Sequence, residues 1–209
     1  MEEGEPTERT QARRALYRFL STAFYPPRSD SREVWAGLKL AAGADDEKSG
    51  TSIQLDGDGL EIEYNRLFVG PARVPCPPYE SVHVKDRPEM ELGLVLGPSA
   101  ADVKRKYSEA GLVVSESFRD LPDHIGVELE FMWFLCDREL NSKDDGDAEK
   151  WRRLERDFLA SHLEPWAGQF AAKVLGSTSS PYYRLAATVL QGFLTDEAEY
   201  LGTARRGQP

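Results

Sequence analysis

Apolar residues recur along this chain at three- and four-residue intervals, the spacing that gathers side chains on one face of a helix. Over residues 7–25, Leu16, Phe19, Leu20, Ala23 and Phe24 form one stripe, and Pro26-Pro27 cannot continue it. From Ser31 to about Ala42, Val34, Trp35 and Leu38 repeat the pattern. Residues 43–58 are polar and glycine-rich and read as a loop. Asp58 can cap a helix carrying Leu60, Tyr64, Leu67 and Phe68. The next helix is predicted from Ser99, with Asp102 completing a capping box, to Gly111.

The strongest periodicity runs from about Leu121 to Leu140. Ile125, Leu129, Met132 and Cys136 form one stripe, while Val127, Phe131 and Phe134 cover another side. A helix apolar on so many sides belongs at the centre of a fold. A further helix starts at Asp147 and carries Trp151, Leu154 and Phe158, with Pro165 breaking or kinking it before Trp166, Phe170 and Val174. Ser180 and Pro181 open the last helix, which holds Leu185, Val189, Leu190, Phe193 and Leu194. No segment alternates as a strand does. The expected architecture is all-α, a single domain of about eight helices over residues 1–209.

One segment departs from this pattern. Residues 70–98 hold six of the thirteen prolines and no sustained period. A long irregular stretch inside a compact domain is uncommon and is often functional.

Composition removes several classes of function. The net charge of −10 opposes nucleic acid or an anionic membrane as main partner and permits attraction to a basic peptide. The longest apolar runs, such as Phe131–Cys136, are far short of the roughly 20 residues of a spanning helix, so no membrane insertion is expected. The acidic start, MEEGEPTERTQ, is unlike a secretory signal. Arg13-Arg14 is followed by Arg18, Ser21 and Thr22 rather than an uncharged apolar stretch, and reads as part of an amphipathic helix. A cytoplasmic protein is expected. Cys76 and Cys136 are too few for a disulfide framework, and no paired-cysteine or HExxH spacing offers a metal site. Gly57, Gly59 and Gly70 match no phosphate-cradling pattern.

Candidate chemistry concentrates in three places. Glu63–Phe68 runs into Gly70-Pro71, Pro75–Ser81 forms the proline-rich turn, and Leu121–Met132 opens the central helix. In the third, Pro122 suits the first helical turn and Asp123 is favoured there by the helix dipole. His124 and Glu128 lie four residues apart on one face, and Glu128 falls within an apolar stripe where a carboxylate needs a partner. Two readings stay open: a structural, hydrogen-bonded helix start, or a binding site. Asp123 with His124 could act as a general base, but no nucleophile motif accompanies them. Pro77-Pro78 could equally hold an extended connector anchored by Tyr79 or line a ligand groove.

In chain order, EYNRLFVGP at 63–71, PPYES at 77–81, GPSAADVKRKYSEAGL at 97–112, LPDHIGVELEFM at 121–132 and FLASHLEPW at 158–166 resemble the TorD/DmsD/NarJ family of redox-enzyme maturation chaperones. The resemblance implies a TorD-like helical fold without catalytic activity or a resident cofactor, although some relatives bind guanine nucleotide weakly. It implies two binding partners, the precursor of a molybdopterin-containing oxidoreductase subunit and its twin-arginine leader, with the chaperone a monomer or dimer. The PCPPYES form is similar to chaperones of dimethylsulfide, ethylbenzene, selenate or chlorate enzymes. Asp123, His124, Tyr79, Glu80 and Ser81 match the family's binding motif. A leader combining arginines with an apolar stretch needs an apolar groove rimmed by acids. The expected site is therefore Tyr64, Leu67, Phe68, Pro78, Tyr79, Glu80, Ser81, Asp123, His124 and Glu128, with Glu80, Asp123 and Glu128 as the rim. The competing classes are an accessory or structural subunit of an oxidoreductase complex and a small helical hydrolase.

Overall fold

A computed structural model describes residues 4–28, 30–43, 58–70, 74–84, 97–113 and 120–203. These residues form nine α-helices: α1 (Gly4–Ala23), α2 (Ser31–Ala41), α3 (Asp58–Tyr64), α4 (Glu80–His83), α5 (Pro98–Glu109), α6 (Ile125–Leu140), α7 (Asp145–Phe158), α8 (Ala167–Ser177) and α9 (Pro181–Leu201). Two π-helical turns, Asn65–Val69 and Leu159–Leu163, extend α3 and α7. The only extended pairing among the described residues is a single antiparallel bridge between Tyr79 and His124. Most of the stretches read as loop, 44–57 and 85–96, lie outside the described residues.

Helix α6 is central, as its two-sided apolar pattern requires. Ile125, Leu129, Phe131, Met132, Leu135 and Cys136 are all buried. It packs along α1 on one flank and α7 on another, while α9 joins α1, α2, α7 and α8. The buried apolar side chains form one cluster that also takes in Leu20, Phe24, Leu67, Phe170, Tyr183 and Leu190.

Two glycines are required, one by a close contact and one by its backbone conformation. An ideal Cβ on Gly37 would lie 2.4 Å from Cε2 of Phe19, so α2 approaches α1 only where a side chain is missing. Gly37→Ala is therefore expected to cost about 1–3 kcal/mol by overpacking. Urea unfolding measures this, and an unchanged midpoint would mean that α2 slides away from Phe19 freely. Gly111 ends α5 with φ of +81°, a conformation that disfavours any Cβ, as its position in the sequence predicts.

Helix starts move by a turn or less from their predicted places. Helix α5 begins at Pro98 after Gly97, so Ser99 is buried inside the first turn rather than capping it. Asp144 caps α7 by accepting the Asp147 N–H at 2.9 Å, so Asp147 sits within the helix. Residues 121–124 precede α6 and are not its first turn.

The π-turns carry functional geometry. In each, an N–H donates to the carbonyl five residues back: Gly70 to Asn65 at 2.6 Å and Glu164 to Leu159 at 2.9 Å. The first turn leaves the Leu67 carbonyl to accept the Cys76 N–H at 3.0 Å, tying the proline-rich segment to α3. The second turn buries Leu159, His162 and Leu163 together.

Candidate functional site

The site is built on a crossing of two short stretches. Pro77 and Pro78 precede Tyr79, whose extended backbone pairs with the segment before α6. Ile125 N–H donates to the Pro78 carbonyl at 2.8 Å, and Glu80 N–H donates to the Asp123 carbonyl at 3.0 Å. Ser81 N–H then donates to Oδ2 of Asp123 at 2.9 Å. Asp123 thus serves the start of α4, a helix from another part of the chain, and not the start of α6. The physical preference of an acid for free helix N–H groups is the one expected, but the recipient differs.

His124 caps α6 with its ring: Gly126 N–H donates to Nδ1 at 3.0 Å. Accepting there leaves the proton on Nε2, which faces Oδ2 of Asp120 at 3.9 Å. The imidazole lies parallel to Tyr25, with centroids 5.7 Å apart, and meets Tyr79 edge-on at 5.4 Å. Gly126 permits this stacking, because a Cβ there would sit 3.0 Å from the Tyr25 ring. Tyr25 donates to Glu130 at 3.0 Å, and Tyr79 donates to Asp120 at 2.9 Å.

Burial pushes the His124 pKa down to about 4, against the pull of Asp120 and Asp123. The sign of the pH effect follows. A depressed folded value means this histidine's contribution is present above its unfolded value of about 6.5 and is lost as pH falls towards 4. His124→Asn keeps a capping acceptor and removes the titration. Thermal unfolding of that variant should decline less steeply on acidification than the wild type, and parallel curves would exclude the assignment.

Behind the bridge lies a sealed polar layer. His162 Nδ1 is 2.9 Å from Oε2 of Glu80, and its Nε2 is 3.5 Å from Oδ2 of Asp102 on α5. Trp166 donates from Nε1 to Oε2 of Glu128 at 3.1 Å. His83 donates from Nε2 to the Pro77 carbonyl at 2.8 Å, and its ring stacks on Trp166 with centroids 5.2 Å apart. Tyr107 donates to the Pro122 carbonyl at 2.8 Å. Glu80, Asp123, Glu128 and His162 are all fully enclosed, each at 0% exposure.

That burial corrects the expected acidic rim. Glu80, Asp123 and Glu128 do converge, together with Pro78, Ser81 and His124, but inside the protein, with Tyr79 half-buried over them. Three ionisable acids in an apolar setting can be tolerated only through partners, and the fold supplies these internally. Tyr64, Leu67 and Phe68 are likewise buried, with Phe68 packed against Phe24, Phe170 and Tyr183. The surface over the site is formed by half-buried Pro77, Tyr79, Val82, Asp120 and Glu130. Residue spacing missed His83, His162, Trp166, Tyr25 and Asp120. The only hint in the sequence was a histidine and a tryptophan flanking Pro165.

A second buried network ties the bundle together on another side. Arg13 donates to Glu197 through Nε at 2.7 Å and Nη2 at 2.8 Å, and it also reaches Glu155 and Glu139. Tyr17 donates to Glu197 at 2.8 Å, and Arg152 also engages Glu139. Burial pushes the Glu155 pKa up to about 8, against the pull of Arg13. Below that pH the two arginines balance the two remaining carboxylates. Arg13 is thus an internal cross-link, and Arg14 pairs with Asp137 at 2.6 Å.

Among the described residues, no group of three or more His, Cys, Asp or Glu side chains could hold a metal ion, and no helix is long and apolar enough to cross a membrane. Cys76 and Cys136 are free and buried, and burial raises both thiol pKa values. A separate surface groove of about 970 Å³ runs between the second π-turn and α9, lined by Glu164, Pro165, Leu194 and Glu199 among others.

The chain is similar to known proteins. Residues 28–172 match the nitrate reductase delta subunit family. The selenate reductase assembly chaperone protein of Thauera selenatis is 35% identical over 130 residues, 61% of this chain and 63% of that protein. The chlorate reductase assembly chaperone protein of Ideonella dechloratans is 32% identical over 137 residues, 65% of this chain and 67% of that protein. The match therefore spans just under two thirds of the selenate relative and about two thirds of the chlorate relative. A candidate redox enzyme maturation protein from Archaeoglobus fulgidus has a crystal structure that superposes with a TM-score of 0.56, covering 87% of this chain and 93% of that one. At 24% identity that likeness speaks to the fold alone. The family match takes in α3 to α7 whole and every residue of the Pro78–Asp123–Glu128 crossing, and this chain belongs to the nitrate reductase delta subunit family.

Proposed function

We propose that this protein is a non-catalytic cytoplasmic assembly chaperone that binds the precursor of a molybdopterin-containing oxidoreductase subunit, including its twin-arginine leader, and holds it for cofactor insertion. The observation that carries this reading is the family match, together with two relatives named for assembling selenate and chlorate reductases. The chemistry of the site agrees with it. His124 uses Nδ1 to cap its own helix, so no free base faces a nucleophile. The buried Asp123 and His124 act on a client by holding Tyr79 and the α4 segment in place. Contact falls to Tyr79 and Val82, with Asp120 and Glu130 as the acids that meet arginines.

A leader removing about 800 Å² of apolar surface would gain roughly 20 kcal/mol gross. Association and ordering of the leader cost about 10 kcal/mol or more. A net near −8 kcal/mol corresponds to about micromolar affinity, which allows release.

Tagged protein recovered from its native host should carry a molybdoenzyme precursor. Recovery of mature enzyme instead would favour an accessory subunit, the reading suggested by the family's own description as a delta subunit. Calorimetry with a synthetic leader should show affinity falling severalfold as salt rises to about 1 M, where screening shortens to about 3 Å, without vanishing. Affinity that ignores salt and survives replacement of both leader arginines would remove Asp120 and Glu130 from the contact.

A further inference from the structure

Three enclosed carboxyl groups of this layer, Glu80, Asp123 and Glu128, each keep one oxygen without a hydrogen-bond partner. Glu80 meets His162 through Oε2 and leaves Oε1 bare, and Glu128 meets Trp166 through Oε2 and leaves Oε1 bare. Both residues are at 0% exposure. Bare buried acceptors are costly; the Glu80 and Glu128 side chains lie within hydrogen-bond reach of one another, and one proton between them satisfies both. We propose that Glu80 and Glu128 share a single proton, and that this proton fastens α4, and with it Tyr79, onto α6.

The surroundings decide which carboxyl carries it. Glu80 has the imidazole of His162 at 2.9 Å, a ring partner that Glu128 lacks. Glu128 has the Trp166 N–H, whose pull toward the charged form is smaller than the opposing effect of burial. Burial, then the neighbouring Glu80 and Asp123, hold the Glu128 pKa well above the carboxylate range. The other ionisable groups on this layer are Asp102 and Tyr107 from α5, and Asp120, Asp123 and His124 from the segment before α6. His83 on α4 faces Lys173 of α8, and Tyr25 comes from α1. Acids outnumber the cations beside the pair, so full ionisation would place like charges in contact.

A raised folded pKa contributes stability that is present below the unfolded value and lost as pH rises through the folded one. Alkalinity should therefore loosen α4 from α6, uncoupling Tyr79 from its support. The effect on client binding rests on the chaperone reading; the proton itself does not.

The test uses the full chain and the isosteric variant Glu128→Gln, whose amide donates to Glu80 at every pH. Infrared spectra at about pH 7 should show a protonated carboxylic acid carbonyl in the wild type. Part of that band should disappear in Glu128→Gln and persist in Glu155→Gln, the control for the other raised acid. Thermal unfolding of wild type and Glu128→Gln should coincide at about pH 4, below the unfolded carboxyl value, and the variant should be the more stable by several degrees at about pH 9. Hydrogen exchange at the Ser81 amide should follow the same difference. An unaltered carbonyl band in Glu128→Gln, or parallel unfolding profiles, would overturn the shared proton. A synthetic leader that binds neither protein while the band behaves as expected would overturn the chaperone reading and leave the proton standing.

Discussion

Arg13→Ala is expected to lower stability by about 3–5 kcal/mol, since removing one partner of a buried ionic cluster leaves uncompensated charge. The variant strips the shared cation from Glu139, Glu155 and Glu197, three acids on α6, α7 and α9. At about 2–4 °C per kcal/mol for a domain of this size, the midpoint should fall by roughly 6–20 °C. The deficit should widen with alkalinity. Glu155 is protonated below about 8, and above that a third charge is left without its arginine. Arg14→Ala is the internal comparison. Its pair with Asp137 is more than one-third exposed on both sides, and such pairs contribute about 0–1 kcal/mol. Equal unfolding midpoints for the two variants would show that the α1 cluster is not the cross-link described.

Asp123→Ala should lose precursor capture while the protein still folds. Its carboxylate makes a charged hydrogen bond to the Ser81 N–H, and loss of such a bond costs about 1.5–3 kcal/mol. That is more than the 0.3–1 kcal/mol expected of an exposed first-turn acid, because Asp123 is enclosed and serves α4 rather than α6. A domain with a total stability of about 5–15 kcal/mol survives it. Leu129→Ala removes a fully buried side chain from the central helix, should cost about 2–5 kcal/mol, and should damage the core as a whole. The distinguishing result is hydrogen exchange: Asp123→Ala should expose the amides of Glu80 and Ser81 selectively, whereas Leu129→Ala should raise exchange throughout α6. Global loosening in Asp123→Ala, or undiminished capture of precursor, would make Asp123 a residue of the scaffold alone.

How much of this was legible in advance differs between elements. Leu20, Phe24, Leu129, Met132 and Phe170 repeat at helical intervals and are buried as that repeat requires. That Pro78–Ser81 and Asp123-His124 belong together was legible only through short motifs whose fixed order resembles a known family. Their orientation was not. An acid in front of a helix reads as that helix's cap, and only the return of a distant segment to within hydrogen-bond reach shows that Asp123 caps α4. Arg13 illustrates the same limit. Within its own helix it is one more polar residue beside Leu16 and Leu20, and its partners lie 126, 142 and 184 residues away.

The sequence by itself determined the helical class and the central place of the Ile125–Leu140 segment. Periodicity and turn chemistry are local properties, and a helix needs only its own neighbours to be recognised. The tertiary structure alone decided that Glu80, Asp123 and Glu128 are interior rather than a rim, that His162 and Trp166 complete their layer, and that Arg13 joins α1 to α6, α7 and α9. Burial and charge compensation depend on which surfaces meet, and a carboxylate's cost or benefit is set by neighbours that the chain brings from far along its length.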